Sequence, residues 1–285
     1  MLARKSVSRI LVIAASAAIT TVTVNPISSR AASIPARIIS LSPSATEDLF
    51  AIGAGSQVVA VDQYSNYPTI APISKLDSYS PNVEAIAAYK PDLVVLNADA
   101  TKATAVKAAL KKLKIAVYFE KAPSDIKGAY SEIQALGRLT GKSSEANALV
   151  SSMQMKIQKA IHAGRKMKNL SIFHELDNTL YTVTSHTFIG HVYSDFGFSN
   201  IADAADTADS GGYPQLTSEY VLKANPKIIF LSDNEPIANV QARAGWSNID
   251  AVKNHRIVNL PDDIPSRWGP RLVDFYQFVA ANLGK

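Results

Sequence analysis

The chain has 285 residues, 47% of them hydrophobic and 19% charged, with 13 Gly, 14 Pro and no Cys. This is the composition of a folded globular protein with ample apolar material for a core, not of a disordered chain. The absence of cysteine excludes a disulfide framework, a thiol nucleophile, Cys-ligated zinc or iron–sulfur chemistry and a thioether-linked lipid. Residues 1–33 carry Arg4, Lys5, Arg9 and Arg30 and no acid, so the net charge of +5 resides largely there. The body is close to neutral and lacks the electrostatic footprint of a nucleic-acid binder.

The first 33 residues read as a secretory signal. Three basic residues precede an uncharged, mostly apolar run over 10–24, and Ser29-Arg30-Ala31 or Ala31-Ala32-Ser33 fits small-x-small cleavage. The run is shorter than the roughly 18–20 apolar residues of a spanning helix, which favours cleavage over a retained anchor. The mature chain is therefore expected to be exported and soluble outside the cytoplasm, periplasmic or otherwise extracytoplasmic.

RIISL (37–41) is a β-type run, followed by a loop with Pro43 and a helix over 45–52 that stops at Gly53. QVVAV (57–61) is a second strand. Asn82 caps the helix NVEAIAAY, with Glu84 in the first turn, where a carboxylate suits the helix dipole. After Pro91, DLVVL (92–96) is a continuous apolar strand of the kind buried on both faces. A helix over 100–113 and the strand IAVYF (115–119) complete a set of βα units, which predicts a parallel sheet covered by helices. Ile126, Tyr130, Ile133, Leu136 and Leu139 recur at three- and four-residue steps, giving an amphipathic helix over 125–140 that ends at Gly141. A second long helix covers 143–168, and its Met153, Met155 and Met167 suit packing plus a solvated face. Strand-like runs resume at 170–173, 180–183, 227–231 and 256–260, and a last helix covers 268–282.

An internal echo organises these elements. NVEAIAAYKPDLVVLN (82–97) and TSEYVLKANPKIIFLS (217–232) share a polar cap, a Glu in the first turn, an apolar helix, then Pro and an apolar strand. A weaker echo relates LFAIGAGSQVVA (49–60) to YSDFGFSNIADA (193–204). Two similar α/β lobes explain both. Ligands of open α/β sheets sit at the carboxyl ends of the strands, so facing lobes make a cleft. The loops of that cleft span 42–46, 62–68, 97–101, 184–188, 232–235 and 261–268. They supply Pro43, Ser44, Tyr64, Tyr67, Asn97, His186, Phe188, Arg267 and Trp268 as candidate ligand contacts, and Tyr79 joins them. Aromatic groups with few formal charges suit a large, partly apolar ligand.

Enzyme signatures are poor. HELDN (174–178) lacks the second His of a zinc-protease helix, no GxSxG exists, and Gly53-Ala54-Gly55 is not a phosphate loop. His174, His186 and His191 lack the spacing of a local metal site. Neither a resident cofactor nor a catalytic role is expected.

RIISLSPSATEDLFAIGAGSQVVAVDQYSNYP (37–68), SPNVEAIAAYKPDLVV (80–95), ALGRLTG (135–141) and YPQLTSEYVLKANPKIIFL (213–231) resemble the recurring segments of the periplasmic binding proteins of iron-siderophore and cobalamin uptake. The resemblance implies an α/β fold of two Rossmann-like lobes, each with a mostly parallel central sheet, joined by one long helix with little hinge motion. That gives a signal peptide over 1–33, lobes over 34–124 and 141–285, and an inter-lobe helix over 125–140. It also implies a monomer that delivers a small-molecule metal chelate to an ABC permease and its ATPase, docking through one acid per lobe. Glu84 and Glu219 match those positions. SNYP, the run from His174 to Gly197 and IPSRWGPR look most like members labelled as cobalamin binders, whose ligand itself carries the metal. Ferric siderophore and haem are the alternatives, the latter held by Tyr64 or Tyr79 with His174 or His186. A secreted metal-dependent hydrolase and a ligand-sensing module are remoter ones. Many relatives from monoderm bacteria carry a lipid-bearing Cys after the leader, and this chain has none.

Overall fold

A computed structural model describes residues 33–164, 170–261 and 263–283. Residues 1–32 of the leader, and the expected end of the helix over 143–168 with Met167, lie outside the described residues. Residues Ile34–Lys285 make one compact unit. Its first half holds β1 (Ile38–Leu41), α1 (Pro43–Ala51), β2 (Val58–Asp62), β3 (Ile73–Leu76), α2 (Val83–Ala88), β4 (Leu93–Asn97), α3 (Ala103–Lys112) and β5 (Ala116–Glu120). The five strands form one parallel sheet in the order β3-β2-β1-β4-β5. Two long helices follow, α4 (Ile126–Thr140) and α5 (Ser143–Gly164). The second half holds β6 (Ser171–Glu175), α6 (Phe188–Asp195), β7 (Ser199–Asn200), α7 (Ser218–Ala224), β8 (Ile228–Leu231), α8 (Ile237–Ala242), α9 (Asp250–Lys253), β9 (Ile257–Asn259) and α10 (Leu272–Asn282). Its four strands are also parallel, in the order β7-β6-β8-β9.

The two sheets repeat one plan, and the sequence echo marks the equivalent positions. Both α1 and α6 run into a glycine in the left-handed region, Gly53 at φ 77° and Gly197 at φ 81°, before the neighbouring strand. A side chain with a Cβ would be strained at either turn. Asn82 and Thr217 cap α2 and α7 through bonds from Ala85 N and Tyr220 N, with Glu84 and Glu219 second in their helices. Each helix then leads, past Pro91 or Pro226, to the strand beside the first strand of its sheet.

Strand alternation sorts the core. Leu93 and Val95 of β4 and Ile228 and Phe230 of β8 belong to one continuous apolar cluster that also takes in Ile133 and Leu136 of α4, Val150 and Met153 of α5 and Phe275 of α10. Val94 and Leu96 pack on the opposite face against Val106 and Leu110 of α3, and Ile229 and Leu231 do the same around Val221, Val240 and Trp246. The inner faces of both sheets thus share a core. Asp125 caps α4 through Gly128 N at 2.8 Å, and α4 approaches α5 so closely that a Cβ on Gly137 would lie 2.5 Å from that of Ala146.

Several expectations are corrected. The helix expected over 45–52 starts at Pro43, because Ser42 caps it and Pro suits its first turn. Residues 180–183 make isolated bridges from Tyr181 to Gln215 and from Thr182 to Glu175, with no ladder. The last helix starts at Leu272, since 264–271 form a 3-10 turn and a loop. The edge strand β3 and the short elements β7, α8 and α9 are additional to the expected set.

Candidate functional site

The carboxyl ends of both sheets are joined by the stretch between the 3-10 turn Ile264–Ser266 and α10. The Trp268 indole N–H donates to Glu120 Oε1 at 2.6 Å, at the end of β5, and its backbone N–H donates to Ser44 Oγ at 3.4 Å. Arg271 grips Glu47 of α1 through Nε at 2.9 Å and through Nη2. Its guanidinium also lies over the Tyr67 ring, 4.5 Å from the centroid. Arg267 reaches Glu47 at 3.7 Å and Asp263 at 3.5 Å, and Asn66 donates to Asp263 at 2.8 Å. Two guanidiniums offset Glu47, which is buried.

Beside this joint is a cavity of about 290 Å³. Phe188 and Ile189 of α6, Tyr213, and Pro265, Ser266 and Trp268 form most of its wall, and Ala122 and Pro123 after β5 complete it. Phe188 and Trp268 meet edge to face at 6.3 Å. No side chain in this wall carries a formal charge.

Of the expected contacts, Phe188 and Trp268 line the cavity. Tyr64, Tyr67 and Tyr79 lie on the loops after β2 and β3 with their rings largely exposed, and Tyr64 packs against Tyr79 edge to face at 5.3 Å. Pro43 and Ser44 are in the first turn of α1 rather than in a loop, and Ser44 is buried as the acceptor for Trp268. Asn97 ends β4 and turns its Oδ1 to Asp99 N at 2.9 Å. His186 is exposed, with Nδ1 3.0 Å from Asp206 Oδ2. Ser210 and His186 hold the Asp206 carboxyl down at about 2. Ala122, Pro123, Ile189, Tyr213, Pro265 and Ser266 were not foreseen as individual contacts. Applying the carboxyl-edge rule to the strand at 115–119 leads directly to Ala122 and Pro123, and Tyr213 opens a segment already singled out by the resemblance.

His174 cannot serve a metal. It is fully buried on β6, with Nδ1 2.8 Å from the Tyr193 hydroxyl and Nε2 2.8 Å from Ser232 Oγ. Burial drives its pKa down to about 3, so the ring is neutral. Its neighbour Glu175 is fully buried too, and pairs with both terminal nitrogens of Arg243 at 2.6 Å. Among the described residues, no group of three metal-binding side chains comes together.

The first sheet buries acids differently. Asp48 is fully buried, and neither carboxylate oxygen has a hydrogen-bond partner among the described residues. Burial, then the charges of Glu120, Glu132 and Glu47, hold its pKa well above the usual carboxylate range. Glu120 is raised by burial against the pull of hydrogen bonds from Ser42 and Trp268. Glu132 accepts from the Tyr118 hydroxyl at 2.9 Å and is pushed up to about 7, mainly by burial.

Residues 38–264 match the periplasmic binding protein family. The chain belongs to that family. An uncharacterized ABC transporter substrate-binding lipoprotein of Bacillus subtilis (strain 168), YvrC, is 33% identical over 258 residues, covering 87% of this chain and 80% of its own. The crystal structure of the periplasmic vitamin B12 binding protein BtuF of Vibrio cholerae superposes with a TM-score of 0.75 at 27% identity, over 88% of this chain and 97% of that one. A possible iron-binding (periplasmic solute-binding) protein from Staphylococcus epidermidis ATCC 12228 superposes with a TM-score of 0.77 at 27% identity, over 89% and 100%. The two parallel sheets are those of a two-lobed periplasmic binding protein, as the sequence implied. Such relatives bind solutes rather than transform them. No helix among the described residues is long and apolar enough to cross a membrane.

Proposed function

We propose that the chain is the extracytoplasmic binding protein of an ABC importer, that it captures a cobalamin-type corrinoid between its lobes (34–124 and 141–285, joined by 125–140), and that it hands the ligand to the permease. The observation that carries this reading is the aromatic cavity at the joined carboxyl edges, walled by Phe188, Tyr213 and Trp268 and free of formal charge. A bulky macrocycle of little net charge, rimmed by neutral amides, suits uncharged aromatic walls, whereas a highly charged chelate calls for several unpaired cations. Arg267 and Arg271 are already engaged with Glu47. Tyr64, Tyr67 and Tyr79 extend the aromatic surface on the first lobe. The vitamin B12-binding likeness supports the same ligand.

Docking is proposed at Glu84 and Glu219. Both are exposed, occupy equivalent helix starts in the two lobes and meet no basic partner in the hydrogen-bond or ion-pair network of the described residues. Haem is the second reading, favoured by His186: its Nδ1 is oriented by Asp206, an arrangement that suits a metal-binding imidazole.

Titrating the exported protein with cyanocobalamin, a ferric hydroxamate, a ferric catecholate and haem decides between them. A ligand bound by the folded state alone stabilises it by about 2.7 kcal/mol at a hundredfold excess over Kd. A thermal shift with cyanocobalamin and not with the others is expected. A shift with haem and a Soret change lost in His186→Ala would replace the ligand, and a shift with a siderophore would do so as well.

A further inference from the structure

We propose that Asp48, Glu120 and Glu132 form one proton-storing cluster beneath the ligand cavity, and that its proton occupancy positions Trp268 and so sets how well the cavity captures ligand. The second half of this inference rests on the cavity being the ligand site.

The cluster joins three elements. Asp48 comes from α1, Glu120 from the end of β5 and Glu132 from α4. Four of their six carboxylate oxygens are buried without a hydrogen-bond partner among the described residues: both of Asp48, Oε2 of Glu120 and Oε1 of Glu132. Carboxylates in that condition repel one another in a medium that screens poorly, and desolvation adds to the cost of ionising each. The surrounding charges do not relieve this. Glu47, next to Asp48 on α1, adds negative charge, and Arg271 and Arg267 of the carboxy-terminal stretch pair with Glu47, while Arg138 of α4 acts on Tyr118. Asp62 of β2 and Asp99 after β4 add further negative charge around Glu120. Tyr118 of β5 gives one hydrogen bond, to Glu132. Protons are thus the counter-charge that remains, and burial keeps all three acids above the usual carboxylate range.

The link to the cavity is direct. Glu120 Oε1 accepts the indole N–H of Trp268. Gly269, the next residue, packs on the cluster so closely that a Cβ there would lie 3.1 Å from Asp48 Oδ1. The other walls of the cluster are α1, β5 and α4, whose apolar faces are locked in the core. When the cluster loses its protons to solvent, the repulsion is most easily relieved by the stretch 266–271. That stretch carries Trp268, and its movement breaks the edge-to-face contact with Phe188 in the cavity wall. Capture is therefore strongest with the cluster protonated and weakens as pH rises.

The exported protein labelled with 15N at its indole groups tests this. Trp268 and Trp246 are its two tryptophans, and Trp268→Phe assigns the signals. Between pH 5 and 9 the Trp268 signal is expected to move in a step, with its midpoint above 5, while Trp246 stays still. Asp48→Asn should remove the step or move it to lower pH, and Glu132→Gln is a second variant that keeps the Tyr118 contact and should do the same. A Trp268 signal that does not move, or a step unchanged in both variants, overturns the cluster. With cyanocobalamin as the probe, Kd should rise about tenfold from pH 6 to 8.5, one pKa unit of linkage, and less in Asp48→Asn. A Kd indifferent to pH beside an intact indole step overturns the link to capture. Absence of cyanocobalamin binding at every pH overturns the ligand reading alone, because the indole step needs no ligand.

Discussion

At the carboxyl end of β6, His174 has both ring nitrogens bonded and Glu175 is matched by a bidentate Arg243. At the equivalent edge of the first sheet, Asp48 has no partner for either oxygen, and Glu120 and Glu132 each leave one oxygen orphaned. The two lobes share a plan, so this difference is not a consequence of the fold. Buried polar groups that are fully satisfied rigidify a core, while unsatisfied ones store free energy that a change of protonation can release. In the second sheet the buried imidazole and acid are held by fixed partners, whereas the acids beside the first sheet reach Trp268, in the carboxy-terminal stretch, through Glu120.

The largest effect expected is on stability, and it separates the lobes. Arg243→Ala strands the fully buried Glu175 and should cost about 3 kcal/mol or more in urea unfolding. Arg271→Ala should cost less, because Arg267 remains 3.7 Å from Glu47. Equal losses would break the comparison. Next is the ligand: Trp268→Ala should weaken cyanocobalamin by about 30-fold, the size of an aromatic hot spot of about 2 kcal/mol. Tyr64→Ala and Tyr79→Ala, at exposed positions, should cost only a few-fold in the same titration.

The pH response sharpens the contrast. The folded pKa of His174 lies below its unfolded value, so the unfolded chain binds more protons and stability falls as pH drops from 6.5 toward 3. Its contribution changes by about 2 kcal/mol between pH 6.5 and 5. Glu132 has the opposite sign. Its folded pKa is raised from 4.5 to about 7, so its contribution is present below 4.5 and lost as pH rises through 7. Hydrogen exchange should therefore show β6 opening more readily at pH 5 and β5 more readily at pH 8. A common direction in both strands would sink the assignment.

Much of this was legible in the sequence because it depends on local spacing. The repeat of cap, Glu, helix, Pro and strand gave two equivalent lobes, and the glycines at 53 and 197 marked equivalent turns. Phe188 and Trp268 followed from the carboxyl-edge rule. The acid cluster did not, because Asp48, Glu120 and Glu132 are separated in sequence and reach one place through three different elements. Nothing local distinguishes Asp48 from a solvated helix acid. Residues 180–183 misled for the converse reason: their apolar alternation is that of a strand, but only single bridges to Gln215 and Glu175 await it.

The smallest effect expected on the isolated protein belongs to Glu84 and Glu219. Both are exposed in the first turn of a short helix, where a carboxylate contributes about 0.3–1 kcal/mol through the helix dipole. Reversing both, as Glu84→Lys with Glu219→Lys, should lower stability by no more than that order and leave the cyanocobalamin Kd unchanged. Uptake through the reconstituted permease should nevertheless be lost, because the acid on which docking is proposed to depend would then be replaced by the opposite charge in both lobes. These acids sit at equivalent positions in the two lobes, so a single reversal should leave one contact and an intermediate rate. Full uptake by the double variant would remove the docking role and leave the echo of the two helices with a structural meaning alone.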